Sequence, residues 1–134
     1  MLEKEKFEFS QLKPGYEFPA CVCQFDRNMV SIYLQATGDV SGLYRDTDFV
    51  PPMAIAAQAL ATLAESISLP PGTIHVSQEF EFTGIVCVGD TLTNQARISK
   101  HQQRGALHLL AVVMNVLNQK GEQVLNGSAG FVLP

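Results

Sequence analysis

A chain of 134 residues lies within the usual size of one domain, and no linker-like run of Ser, Gly and Pro divides it, so a single domain over residues 1–134 is expected. Its 46% hydrophobic content can fill a substantial core, while 16% of the residues are charged and the net charge is −4. That balance gives no electrostatic reason to bind nucleic acid or an anionic membrane, and no apolar run approaches the ~20 residues of a membrane span.

The low charge favours a surface partly covered by a partner. The start, MLEKEKFEFS, is charged, with Lys4 and Lys6, and lacks the apolar stretch of a signal peptide. Three cysteines, an odd number, do not suggest a disulfide framework, so a cytoplasmic setting is expected. Cys21 and Cys23 at i, i+2, with Cys87 distant, do not make a four-ligand zinc site; His75, His101 and His108 stand singly. Neither a metal nor a cofactor is expected.

Along the chain, Gln11-Leu12-Lys13-Pro14-Gly15 reads as a turn, and Tyr16 to Phe25 follows with strand-like composition. Asp26 suits an N-cap. Met29, Val30, Tyr33, Leu34 and Thr37 then recur at three- and four-residue intervals, the spacing of a short amphipathic helix that Gly38 would stop. Pro51 and Pro52 fit the first turn of a second helix, from Met53 to Glu65. Nearly every face of it is apolar or small, which predicts burial on most sides, and Pro70-Pro71-Gly72 ends it.

The rest reads as four strands in a meander. His75 to Phe82 is followed by a turn at Val88-Gly89-Asp90 and a strand from Thr91 to Ser99. Lys100 to Gly105 is a polar connection, Ala106 to Leu117 an almost wholly apolar central strand, and Asn118 to Gly121 a hairpin turn before Glu122 to Leu133. Gly127-Ser-Ala-Gly130 is no phosphate loop, because no helix follows it. Pattern alone therefore gives an α+β chain with an antiparallel sheet around one apolar helix.

The stretch Ala36-Thr37-Gly38-Asp39-Val40-Ser41-Gly42-Leu43-Tyr44-Arg45-Asp46, followed by a helix start, resembles the active-site segment of MaoC-like (R)-specific enoyl-CoA hydratases and dehydratases. That family reads roughly A-S-G-D-x-N-P-x-H-x-D, then a helix opened by H-G. A second stretch, Phe80 to Leu92, is similar to an "F…(P/G)-x-x-x-G-D-x-L" pattern that marks the fold more than the chemistry. Together they cover roughly residues 26 to 133. The resemblance implies a hot-dog fold, a homodimer or hot-dog heterodimer with its site between protomers, and an acyl-CoA or acyl carrier protein thioester as ligand. It places Asp39 and Tyr44 at the two catalytic positions that hold a water, and Ser41, Pro52, Met53, Ala54 and Ala57 around the substrate.

Two positions depart from the family. Tyr44 stands in the place of the His, and a phenol of ordinary acidity (about 10) is a donor and a poor base at neutral pH. Pro51-Pro52 replaces H-G, and proline has no N–H for a developing oxyanion. Ser41-Gly42 replaces Asn-Pro, Asp46 matches the later acidic position as a structural residue, and the short segment from Asp46 to Pro51 implies an open cleft. Tyr-x-Asp before Pro-Pro resembles the degenerate N-terminal dehydratase-like halves that pair with an active unit. The expected function is therefore an acyl-thioester hot-dog protein with weak or lost hydratase activity. The alternatives are a non-catalytic acyl-binding or partner subunit and a hot-dog thioesterase, for which the second helix offers only Gln58 and Glu65.

Overall fold

The architecture follows from a computed structural model that describes residues 7–8 and 12–134. The expectations for Lys4, Lys6 and Gln11 lie outside the described residues. A two-residue strand β1 (Phe7–Glu8) runs parallel to β3 (Ile67–Ser68). The main sheet has five antiparallel strands: β2 (Cys21–Gln24), β4 (Ile74–Phe82), β5 (Thr91–Arg104), β6 (Leu107–Leu117) and β7 (Gln123–Leu133). Their order across the sheet is β2-β5-β6-β7-β4.

That order corrects the four-strand meander. Only β5, β6 and β7 are sequential neighbours; β4 pairs with β7 at the far edge, so residues 83–90 carry the chain across the end of the sheet. A period of two fixes which face a residue takes but not which strand lies beside it. Two strand boundaries also move. Glu17 makes only an isolated bridge to Arg97, and β2 starts at Cys21, with the pairing register against β5 shifted by one residue between them. The supposed polar connection is strand: β5 runs on to Arg104, which pairs with Leu107.

Helix α1 (Arg27–Thr37) forms as its sequence predicts. Asp26 caps it, accepting from Met29 N at 2.8 Å, and Gly38 ends it in the left-handed region at φ 69°. A short helix α2 (Gly42–Arg45), absent from the sequence reading, precedes α3 (Pro52–Ser66). Helix α3 buries Ala54, Ile55, Ala56, Ala59 and Leu63 against the sheet, while Pro52, Met53, Ala57, Ala61 and Ala64 are exposed. Burial on most sides is thus corrected to burial on one, since the sheet covers the helix from one side only.

The inward residues of β5 and β6 alternate as a one-face sheet requires: Leu92, Asn94 and Ile98, then Leu110, Val112, Met114 and Val116. They join two core clusters, one around Ile55, Leu34 and Leu125 and one around Leu63, Ile98 and Leu133, with Phe80 packed against both. His101 and His108 are not solitary. Their Nε2 and Nδ1 lie 3.2 Å apart across the β5–β6 hairpin, and His101 Nδ1 lies 2.7 Å from the Leu12 carbonyl oxygen. No helix of the described residues is long and apolar enough to cross a membrane.

Candidate functional site

After Gly38 ends α1, Asp39 N–H still donates back to Leu34 O at 3.0 Å, so the aspartate is set directly on the helix end. Its Oδ1 accepts from Ser41 N at 2.8 Å, a turn that Asp side chains favour. Ser41 in turn caps α2, its Oγ accepting from Leu43 N at 3.4 Å. The Asp46 carboxylate closes over Gly42, where an added Cβ would lie 2.7 Å from Oδ2 and would turn that exposed side chain aside. Asp39 and Ser41 therefore each hold their own backbone.

Tyr44, on α2, is half-buried against the core cluster around Ile55. Arg27 fastens this helix from below: Nη1 donates to Tyr44 O at 3.2 Å and Nη2 pairs with Asp48 Oδ1 at 2.9 Å. The next residues are stitched to the β4–β5 connection, with Val50 N on Val86 O at 2.9 Å and Val88 N on Asp48 O at 2.7 Å. Asp90 Oδ2 accepts from Cys87 N at 2.9 Å and Gly89 takes φ 96°, so the predicted Gly-Asp turn anchors that connection.

These ties enclose an apolar hollow of about 300 Å³ bordered by Leu43, Tyr44, Phe49, Pro52, Ile55 and Ile85. Gly84 also lines it at a close approach: a Cβ there would lie 3.1 Å from Val124 Cγ1 on β7, so a larger residue would press on that buried valine. At the mouth Leu43, Phe49 and Ile85 are 53%, 42% and 72% exposed, so the apolar surface continues outward.

Of the residues expected at the site, Tyr44 and Pro52 border the hollow together. Asp39 and Ser41 stand earlier on the same segment and do not line it. Ala54 is buried, Met53 is half exposed and Ala57 lies on the open face of α3. Ala54 N–H turns back to Pro51 O at 3.0 Å, and no side chain caps the helix. Met53 N–H is thus the first donor of α3, and it meets no acceptor among the described residues. Gln58 is engaged elsewhere: Oε1 accepts from Asn94 Nδ2 at 2.7 Å and Nε2 donates to Thr62 Oγ1 at 3.1 Å.

Sequence reasoning missed Arg27, Phe49, Ile55, Gly84 and Ile85. Arg27 carried a signal, since a cation in a helix's first turn opposes the macrodipole and calls for another partner. The other four meet only through the fold. No three His, Cys, Asp or Glu residues gather as metal ligands among the described residues.

Residues 13–126 match the family model described as FAS1-like, dehydratase domain region. Among solved structures, the chain is similar to the unliganded R-hydratase PhaJ1 from Pseudomonas aeruginosa, at TM-score 0.77 and 22% identity over 93% of this chain and 84% of that one. The (R)-hydratase of A. caviae involved in PHA biosynthesis gives TM-score 0.73 and 20% identity, over 92% and 98%. The HadBC (3R-hydroxyacyl-ACP dehydratase) complex of Mycobacterium tuberculosis gives 0.68 and 16%, over 98% and 99%. These likenesses establish the hot-dog fold. No curated protein matches the chain in sequence.

Proposed function

The chain belongs to the FAS1-like dehydratase-region family, and from that membership we propose that it handles acyl thioesters, of coenzyme A or acyl carrier protein, in a paired hot-dog assembly. The hollow between α2 and the start of α3 carries this reading. It is apolar, about 300 Å³, at the small end of ligand pockets, and it lies beside the segment that holds Asp39 and Tyr44. An acyl chain would seat against Ile55 and Phe49, with the thioester carbonyl towards Met53 N–H at the helix start. A second hot-dog unit along the open side of β4 would cover the exposed mouth.

In this reading Asp39, the carboxylate in register with the family motif, would activate water, and Tyr44 would orient that water by donating a hydrogen bond. Both contributions are weak as they stand. Asp39 Oδ1 is occupied by Ser41 N–H, and Pro52 supplies no oxyanion donor. These two observations favour a second form of the same reading, in which this chain binds the acyl group and a partner subunit supplies the chemistry. Gln58, held by Asn94 and Thr62, gives a thioesterase reading no support.

The deciding experiment is hydration of a short trans-enoyl-CoA by the chain, Asp39→Asn and Tyr44→His, with acyl-CoA binding measured alongside. Slow or absent turnover is expected, because acid–base help is worth about 10²–10⁴-fold and one oxyanion donor about 10²–10³-fold. Any residual rate should depend on Asp39, and Tyr44→His should raise it. Robust wild-type turnover lost in Asp39→Asn would instead establish a Tyr-assisted hydratase. Absence of both turnover and saturable binding would sink the proposal.

A further inference from the structure

His101 on β5 and His108 on β6 stand on either side of the turn at Gly105, and neither lines the hollow. In register His101 lies opposite Leu110 and His108 opposite Gln103, so the two histidines are diagonal neighbours. Both share the face of buried Leu110, because residues two apart on a strand point the same way. Lys100 and Arg104 are an odd number of residues from His101, which turns their charges to the other face. The paired backbones of β5 and β6 hold the two rings in place.

The rings meet through their nitrogens. Their centroids are 5.3 Å apart with the planes inclined at 55°, and His101 Nε2 lies 3.2 Å from His108 Nδ1. A carbonyl oxygen only accepts, so His101 Nδ1, 2.7 Å from Leu12 O, carries a hydrogen and donates it. In the neutral ring Nε2 then has the lone pair, and its neighbour is His108 Nδ1. Metal-binding histidines are commonly fixed in this way, with the second nitrogen donating to a backbone carbonyl. A zinc ion bonded to two nitrogens at about 2.0–2.1 Å in tetrahedral geometry sets them about 3.3–3.4 Å apart. The spacing of 3.2 Å needs almost no adjustment.

We infer that His101 Nε2 and His108 Nδ1 form a two-point site for a divalent cation of the zinc type, with water completing its coordination. Imidazole nitrogen suits zinc, copper and nickel, whereas calcium and magnesium call for oxygen ligands that this pair lacks. On binding, the proton that His108 Nδ1 donates to His101 Nε2 in the neutral pair moves to His108 Nε2, and the metal takes its place between the rings. No third His, Cys, Asp or Glu joins them among the described residues, so the ion would exchange with solvent, unlike one in a closed four-ligand site. Through His101 it would tie the β5–β6 hairpin to the segment at Leu12. Leu12 and Leu110 belong to the second core cluster, whereas Tyr44 and Ile55 of the hollow belong with the first. The metal would therefore stabilise the fold without entering the acyl site.

The test uses the full untagged chain and zinc chloride. Titration calorimetry should show saturable binding of one ion, weakened at least about tenfold in His101→Gln and in His108→Gln. His75→Gln, which removes the third histidine, should bind as the wild type does. His108→Gln leaves the His101–Leu12 bond in place, so a loss there does not come from release of that segment, and circular dichroism verifies each fold. Zinc should raise the urea midpoint of the wild type and of neither pair variant. Imidazole nitrogen resonances should show coordination at His101 Nε2 and His108 Nδ1. Binding retained in both pair variants would put the ion elsewhere, on the cysteines for one, and would overturn the inference. A dissociation constant weaker than about 1 mM for the wild type would overturn it equally.

Discussion

Single residues here do work that their type alone does not announce. Asp39 stands where the proposed reading needs a carboxylate, yet one of its oxygens already closes a turn on Ser41 N–H. Cys23 shows environment acting on chemistry more directly. Burial, and secondarily the nearby Asp26 carboxylate, push its thiol above the ordinary range. Both causes disfavour the thiolate, which is the nucleophile. Cys23 should therefore alkylate more slowly at pH 8 than a cysteine in a short peptide, with the midpoint of its pH–rate profile displaced upward. Peptide mapping after timed iodoacetamide treatment measures this; a midpoint at or below the peptide value would refute it.

At the scale of elements, the polar link between α3 and β5 is the unusual one. Asn94 is 6% exposed, donates to Gln58, and leaves its own Oδ1 buried without a partner. Removing one member of such a pair strands the other, whereas replacing both with apolar groups can be neutral or better. Gln58→Met should thus cost about 1–3 kcal/mol in urea unfolding, and Gln58→Met/Asn94→Val should recover most of it. Equal losses in the single and double variants would refute the account. The elements that were legible in sequence share one property: their signals are local. Asp26 and Gly38 bracket α1, two prolines open α3, and alternation marks β6. The hollow was not legible, because Tyr44, Ile55 and Ile85 become neighbours only once residues 48–50 are bonded to residues 86–88. Tyr44 and Pro52 were expected from their place in a family motif; the second motif spans Gly84 but marks the fold, and nothing similar pointed to Phe49.

For the whole molecule, stability should be uneven across the sheet. Strand β6 has neighbours on both sides and four buried side chains, whereas among the described residues β4 has one neighbour, and it has no buried side chain. In hydrogen exchange on the dilute chain, residues 74–82 should take up deuterium well before residues 107–117. Addition of a pairing partner should slow the former and leave the latter unchanged. Equal protection of the two strands in the dilute chain would contradict this gradient.

The crossing of β4 to the far edge also has a consequence for synthesis. The Gln78 side-chain amide donates to the backbone oxygen of Ser128, 50 residues later in the chain. At ribosomal rates of about 5–20 residues per second, β4 waits roughly 2.5–10 s for β7, the strand it pairs with among the described residues. Through that interval its exposed Ile74, Val76 and Phe82 have neither β7 nor a partner beside them. A chain released without residues 123–133 would thus leave these side chains uncovered.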